Sequence, residues 1–361
     1  MEKLIYDLSL SDLEVWCEEH GEKSFRAKQI FEWIYRGVES FDEMSNVNKA
    51  LREKLAADFT FAGVTLVSHS GSEEDGSEKL LVALSDGNMI ESVLMFHDYG
   101  ISLCVSTQVG CKMRCAFCAT GMDGFIRNLS AGEIVAQVIM ANKLLKSRGK
   151  TNVARLVYMG SGEPFDNYDN TIRSIRLLHQ PEGLNIGYRN FTLSTSGLVD
   201  GIYNLTQEDL PLNLSISLHA PNDELRRQLL PIAKRYTIQE VLDAAMNYFD
   251  DSGRRVTIEY ILISEVNDTT ENAKELASLL KRLPFHVDLI PFNEVRGLDF
   301  KRPGYSRIKV FMDILKERGV NATCRFSKGK DINAACGQLK RHYSEARNIQ
   351  NKPAPKANTK K

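Results

Sequence analysis

The strongest constraint this chain places on its own fold is an alternation. From residue 99 onward, six runs with strand character (101–107, 153–160, 190–195, 212–218, 256–262 and 286–290) are separated by stretches of helical periodicity, clearest at 130–146, 237–249 and 271–283. Strands that alternate with helices pair in parallel through right-handed crossovers. The fold class is therefore α/β, and either an open doubly wound sheet or an incomplete β/α barrel satisfies the pattern. In both, the ligand site lies beyond the carboxyl ends of the strands. A further strand, VNATCRF, is expected after the helix IKVFMDILKERG.

What precedes this core reads differently. Residues 1–60 predict a small helical unit: LSLSDLEVWCEEHG opens on serine cap candidates, and Phe25, Ile30, Phe31, Trp33 and Ile34 share a broad apolar stripe. Residues 61–98 predict a β-hairpin extension, with FAGVTLVSHS, EKLLVALSD and NMIESVLMF separated by GSEEDGS and SDGN turns. The core is expected over 99–345, followed by a basic disordered tail over 346–361.

No basic segment followed by an unbroken apolar run opens the chain, and no stretch approaches about 18 consecutive apolar residues, so a cytoplasmic protein without membrane contact is expected. The net charge of −1 hides an asymmetry. From Arg296 to Lys361 there are 17 Lys and Arg against 5 Asp and Glu, a net +12, which leaves 29 against 42, or −13, for residues 1–295. The basic part reads as a phosphate-binding surface or as a solvated tail. Arg302, Arg307, Lys309, Lys328 and Lys330 are its candidate phosphate contacts, with Arg26 and Lys28 in the helical unit.

Seven cysteines in a chain without a signal peptide read as reduced thiols serving metal or catalysis. Three of them, Cys111, Cys115 and Cys118, stand in CKMRCAFC, a C-x3-C-x2-C spacing just after the first core strand. Thiolates suit zinc and iron-sulfur clusters alike, and a 4Fe-4S cluster held by three of them keeps one iron open. A structural zinc needs a fourth ligand, for which Cys104 and His219 are candidates.

At this motif the sequence resembles the radical S-adenosylmethionine (SAM) superfamily, whose fold is a partial (β/α)6 barrel. SGEP (161–164), STSG (194–197), SLHAPNDELR (217–226), LIPFN (289–293) and DINAACGQL (331–339) follow in order and narrow the resemblance to the RlmN family of RNA adenine carbon-2 methyltransferases. It runs from FRAKQIFEWIY through ACGQL. By that resemblance Cys111, Cys115 and Cys118 hold the cluster, SAM chelates its open iron, and one electron cleaves SAM to a 5′-deoxyadenosyl radical. Gly162, Glu163, Ser194, Ser217, Leu218, His219 and Asn293 are implied to bind SAM, two molecules of which are used per turnover.

The resemblance also assigns roles that the residues alone do not. Cys336, after two alanines, reads by itself as a small buried residue; the family match makes it the methyl carrier, an S-methylcysteine whose methyl becomes a methylene radical and adds to the adenine. Cys104 is implied to be the resolving thiol that forms a transient disulfide with Cys336. The two-residue period of ISLCVST puts Cys104 on one face with Ser102 and Ser106, opposite Leu103 and Val105. Glu91, a lone charge in NMIESVLMF, is implied to be the proton acceptor, against the plainer reading of a solvent-facing strand residue. Cys17 and Cys324 match no role and read as structural.

The implied substrates are 23S rRNA at the peptidyl transferase centre and a tRNA adenosine beside the anticodon. A flavodoxin-type electron donor and a monomeric enzyme are expected. A carbon-8 methyltransferase of the Cfr type, or a non-catalytic zinc- or cluster-binding RNA module, are the alternatives.

Overall fold

A computed structural model describes residues 3–122 and 124–339. The expected tail over 346–361, with the last residues of the core, lies outside the described residues. The first residues form strand β1 (Lys3–Leu4), helices α1 (Leu10–Glu19), α2 (Phe25–Arg36) and α3 (Lys49–Asp58), and strand β2 (Phe59–Thr60), paired in parallel with β1. Ser9 caps α1 in a reciprocal box with Asp12, and Asn48 caps α3 by accepting from the Leu51 N–H. Of the expected stripe on α2, Ile30, Phe31 and Ile34 are buried, Trp33 donates its indole N–H to Asn46, and Phe25, in the first turn, is 51% exposed. The unit docks on the core through Asp7, which accepts from the Gly132 N–H (2.5 Å) and the Ser130 hydroxyl (3.1 Å).

Three antiparallel strands follow, β3 (Val64–Gly71), β4 (Glu78–Leu84) and β5 (Met89–His97), leading into β6 (Gly100–Cys104). A side ribbon of β7 (Gln108–Gly110) and β8 (Phe125–Asn128) encloses the cysteine loop and the short α4 (Ala119–Met122). The alternation then proceeds through α5 (Ala131–Ser147), β9 (Arg155–Tyr158), α6 (Tyr168–His179), β10 (Phe191–Thr195), α7 (Val199–Thr206), β11 (Asn213–Ser217), α8 (Asp223–Leu229), α9 (Ile238–Ser252), β12 (Val256–Leu262), α10 (Thr270–Leu280), β13 (His286–Pro291), α11 (Tyr305–Glu317) and β14 (Ala322–Cys324).

All six expected core strands are present, and VNATCRF supplies a seventh. They lie in one ten-stranded sheet of order β14-β13-β12-β11-β10-β9-β6-β5-β4-β3, parallel from β14 to β6 and antiparallel beyond. The three strands 64–97 thus extend the barrel sheet itself. Val93 on β5 and Phe326, just past β14, line one cavity, so the sheet curls into an incomplete barrel rather than an open doubly wound sheet. Leu193, Leu214, Ile216 and Ile258 alternate outward into the core beneath the helices, and the intervening polar residues face the lumen. Among the described residues, no helix is long and apolar enough to cross a membrane.

Candidate active site

The parallel strands open two cavities that meet inside the barrel. The upper, about 840 Å³, lies at their carboxyl ends; the lower, about 1250 Å³, lies at their amino ends. Met159, Arg325 and Cys336 line both.

The upper cavity is assembled from the contiguous motifs. Cys111, Cys115 and Cys118 share its wall, and all are free thiols pushed up by burial, Cys111 to about 12. Their loop is pinned at both ends: the Ala116 N–H donates to the Leu229 carbonyl (2.9 Å) and the Ala119 N–H to that of Gly337 (2.8 Å). Across from them the 161–164 turn is sewn to the end of β6. The Ser161 N–H donates to the Ser106 hydroxyl (2.9 Å) and the Glu163 N–H to the Gln108 amide oxygen (2.9 Å). Gly162 has φ +110°, and a Cβ there would lie 2.7 Å from Gln108 and Thr107, so only glycine fits. The Glu163 carboxylate is buried and raised by burial; it accepts from the Phe165 and Ser196 N–H groups, which fixes the turn against STSG.

Ser194 and Ser217 also face this cavity, as expected, but both point at a residue the sequence reading missed. Glu259 on β12 accepts from the Ser194 hydroxyl at 2.9 Å and pairs with Arg325 at 2.9 Å, with the Ser217 hydroxyl 3.5 Å away. Its signal was available: like Glu91, it is a lone carboxylate in an apolar strand, VTIEYIL. Gly197, at φ +96°, leaves room for the fully buried Arg226, which donates to the Ser196 and Tyr236 carbonyls and so ties STSG to SLHAPNDELR.

His219 adopts a left-handed backbone (φ 60°), its carbonyl accepting from Asn267 (2.8 Å). Its Nδ1 accepts from the Ile261 N–H (3.0 Å), which leaves the proton on Nε2. Burial lowers it to about 3, so the ring is neutral, packed edge-on by Phe117 at 4.8 Å. Leu218 does not line the cavity: its side chain is fully buried in the core, and its N–H donates to the Glu259 carbonyl (3.0 Å). Asn293 is buried beside Cys336, donating to the Cys336 carbonyl (3.2 Å) and the Ser327 hydroxyl (2.9 Å), while its Oδ1 has no partner among the described residues.

The lower cavity holds Cys104 and Ser102 on one wall, with Leu103 and Val105 turned into the core. Burial raises Cys104 to about 12. Glu91 is 1% exposed, not solvent-facing, and sits 3.1 Å from Lys79 Nζ, which also reaches the Asn333 carbonyl (3.4 Å) in the Cys336 loop. It shares its strand face with Val93 and Met95, which line the cavity. Arg155, Arg189 and Lys328 bring positive charge to the mouth. Of the expected basic contacts, Arg302 and Lys330 gather over Phe326, whereas Arg307 pairs with Asp268, Lys309 with Asp313, Lys28 with Glu182 and Arg26 with Glu22. Cys17 is buried in the helical unit and Cys324 half-buried on β14.

The donors fit an iron-sulfur cluster with a bound sulfonium cofactor. Three soft thiols share a wall, small polar groups and a tight glycine turn face them, and the orphaned Asn293 oxygen stands ready to accept. Among the described residues, no three His, Cys, Asp or Glu side chains form a single-ion site.

Comparisons with known proteins agree. The model of the ribosomal RNA large subunit methyltransferase N-terminal domain matches residues 4–60, and that of the radical SAM superfamily matches 105–277. The "Probable dual-specificity RNA methyltransferase RlmN" of Clostridium perfringens (strain 13 / Type A) is 48% identical over 96% of this chain and 99% of its own. The protein of the same name from Clostridium acetobutylicum is 46% identical over 94% and 98%. A crystal structure of a radical SAM methyltransferase from Sphaerobacter thermophilus superposes with a TM-score of 0.90 at 46% identity, covering 93% of this chain and 99% of that one. A wall of three thiols, a tight glycine turn on the same cavity and near full-length similarity converge on one conclusion: the chain belongs to the RlmN family of radical SAM RNA methyltransferases, whose cofactors are a 4Fe-4S cluster and SAM.

Proposed function

We propose that this enzyme methylates carbon 2 of an adenosine in 23S rRNA, at the peptidyl transferase centre, and of an anticodon-adjacent adenosine in tRNA. The observation that carries the reading is the position of Cys336 in the walls of both cavities. A residue there meets SAM from one side and a nucleobase from the other, as a methyl carrier must.

On this reading Cys111, Cys115 and Cys118 hold the cluster, and the upper cavity binds two SAM molecules in succession. When bound, the cluster and SAM supply hydrogen abstraction, which no side chain can perform. The Cys336 sulfur takes a methyl group by displacement and presents it to the base. Cys104, on the lower wall, attacks the Cys336 sulfur as a thiolate; the new sulfur-sulfur bond forms as the carbon-sulfur bond to the product breaks, the pair left on the product carbon takes a proton to complete the methyl group, and an external thiol reduces the disulfide before the next turnover. Glu91, 3.1 Å from Lys79 Nζ, takes the carbon-2 proton. Arg325 and Glu259 position the floor between the cavities, and Glu163 acts by fixing its turn. A flavodoxin-type protein donates the electron, and the enzyme works as a monomer in the cytoplasm.

The test is nucleoside mass spectrometry after anaerobic incubation of reconstituted enzyme with reductant, methyl-deuterated SAM and unmodified 23S rRNA fragments or tRNA. Label on carbon 2 in both RNAs is expected. Label on carbon 8 would move the enzyme to the Cfr-type reaction, and label in rRNA alone would remove tRNA from its substrates.

A further inference from the structure

The mouth of the lower cavity is chemically unlike its interior. Two large aromatic side chains lie exposed there, Tyr99 at 60% and Phe326 at 50%. Tyr99 is in the turn between β5 and β6, and Phe326 follows β14, so they flank the seam where the incomplete barrel fails to close. Lys328 crosses that seam, donating to the Phe96 carbonyl at 2.7 Å.

Each ring already carries a cation. The Arg155 guanidinium lies 4.4 Å from the Tyr99 centroid, and Arg302 and Lys330 lie 5.4 and 5.5 Å from that of Phe326. His97 stacks on Tyr99 at 4.7 Å with an interplanar angle of 8°. Burial, then the nearby Lys328 and Arg155 charges, lowers His97, so its imidazole meets Tyr99 uncharged at pH 7. Both aromatics thus already stand beside cations at the mouth.

Flat rings beside cations at a concave mouth are how proteins hold unpaired nucleotides: every base offers a π face and every linkage a phosphate. A base that reaches Cys336 through this cavity leaves its chain neighbours outside, where the rings stand. We propose that Tyr99 and Phe326 form a stacking clamp for the unpaired nucleotides flanking the target adenosine, with Arg155 and Arg189 taking the connecting phosphates. The inference rests on RNA adenosine being the substrate, and it brings the RNA in at the amino ends of the strands, away from the cluster.

The test uses reconstituted holoenzyme and an RNA stem-loop with an unpaired target adenosine, alongside the same RNA with abasic flanking positions. Tyr99→Ala and Phe326→Ala should each raise KM for the intact RNA on the order of tenfold and leave kcat nearly unchanged, while Tyr99→Phe behaves as wild type. The abasic RNA should penalise the wild type and add little to the alanine variants' defect. Methyl occupancy of Cys336 and RNA-free SAM cleavage should be unaffected. An unchanged KM, or equal sensitivity of wild type and variants to abasic flanks, overturns the clamp alone. Loss of Cys336 methylation in the alanine variants would make the rings structural and also overturn it. If the wild type methylates no RNA, the substrate reading fails first and takes the clamp with it.

Discussion

The two cavities that meet at Cys336 are built from opposite kinds of sequence. The upper one is made of contiguous words: CKMRCAFC, SGEP, STSG and SLHAPND each bring several wall residues together. The lower one takes much of its wall from residues at the amino ends of many strands, among them Ser102, Arg155, Thr192 and Asn213, and is closed by the contiguous segments 325–328 and 334–336. A ligand gripped by turns at strand ends needs glycines and small polar groups side by side. A wall made by strand faces uses every second residue of each strand, which looks like any half-buried strand. On the proposed function, cofactor binding is therefore written in motifs, whereas much of the surface that meets the RNA is scattered over strand faces.

The sharpest way to break this division is at the residue both cavities share. Cys336→Ala should abolish methyl transfer entirely while iron and sulfide content stay at the wild-type level, because the cluster wall is untouched. Cys104→Ala, confined to the lower cavity, should instead accumulate a covalent protein-RNA adduct, seen as a shifted band and as a mass increment on the Cys336 peptide. If both variants lost the cluster, or if Cys336→Ala still transferred methyl, the two cavities would not be separable in this way.

A smaller effect is expected deeper in the lower region. Glu91→Gln should lower kcat by on the order of 10²-fold or more, the usual contribution of a positioned base, with little change in KM for RNA. Single-turnover methylation with preloaded Cys336 isolates the step. A kcat within a fewfold of wild type would return Glu91 to being a buried partner of Lys79 and no more.

How much was legible follows the same line. The six core strands and the helices over 130–146, 237–249 and 271–283 were readable because period and caps agree: Ser130, Thr237 and Thr269 each head a reciprocal capping box. Helices α6, α7 and α8 were not read. Leu198 offers α7 no side-chain cap, α8 has only seven residues, and α6 begins on Asn167, whose amide is spent on the Thr107 and Leu129 carbonyls. Tertiary contacts hold them, and those do not show in a local window. In the site, the cysteines, Gly162 and His219 were found and do converge, while Arg155, Arg189 and Lys79 carried no local signal. Glu259 carried one and was passed over because its strand otherwise reads as plain core.

The finest contrast between the regions is in how each meets a proton. His219, in the upper wall, is lowered to about 3 by burial, against about 6.5 when unfolded. Between those values the unfolded chain binds a proton that the folded chain refuses, so stability is present above about pH 6.5 and is lost as pH falls toward 3. From about pH 7.5 to about 5.5 this one group should cost about 1.4 kcal/mol, on the order of 2 degrees in Tm for a chain of this size. His219→Asn keeps an acceptor for the Ile261 N–H and removes the titration. Its Tm should be lower at neutral pH, through lost packing against Phe117, yet should fall less than the wild type's on acidification. His97 is also lowered, but its stacking partner Tyr99 is exposed, so protonation there can be met by a local shift of two side chains. His97→Asn should leave the acid slope of Tm as it is in the wild type. Equal slopes for wild type and His219→Asn would mean that the upper wall admits water at His219 as readily as the lower mouth does at His97, and the contrast between a buried and a half-exposed imidazole would be lost.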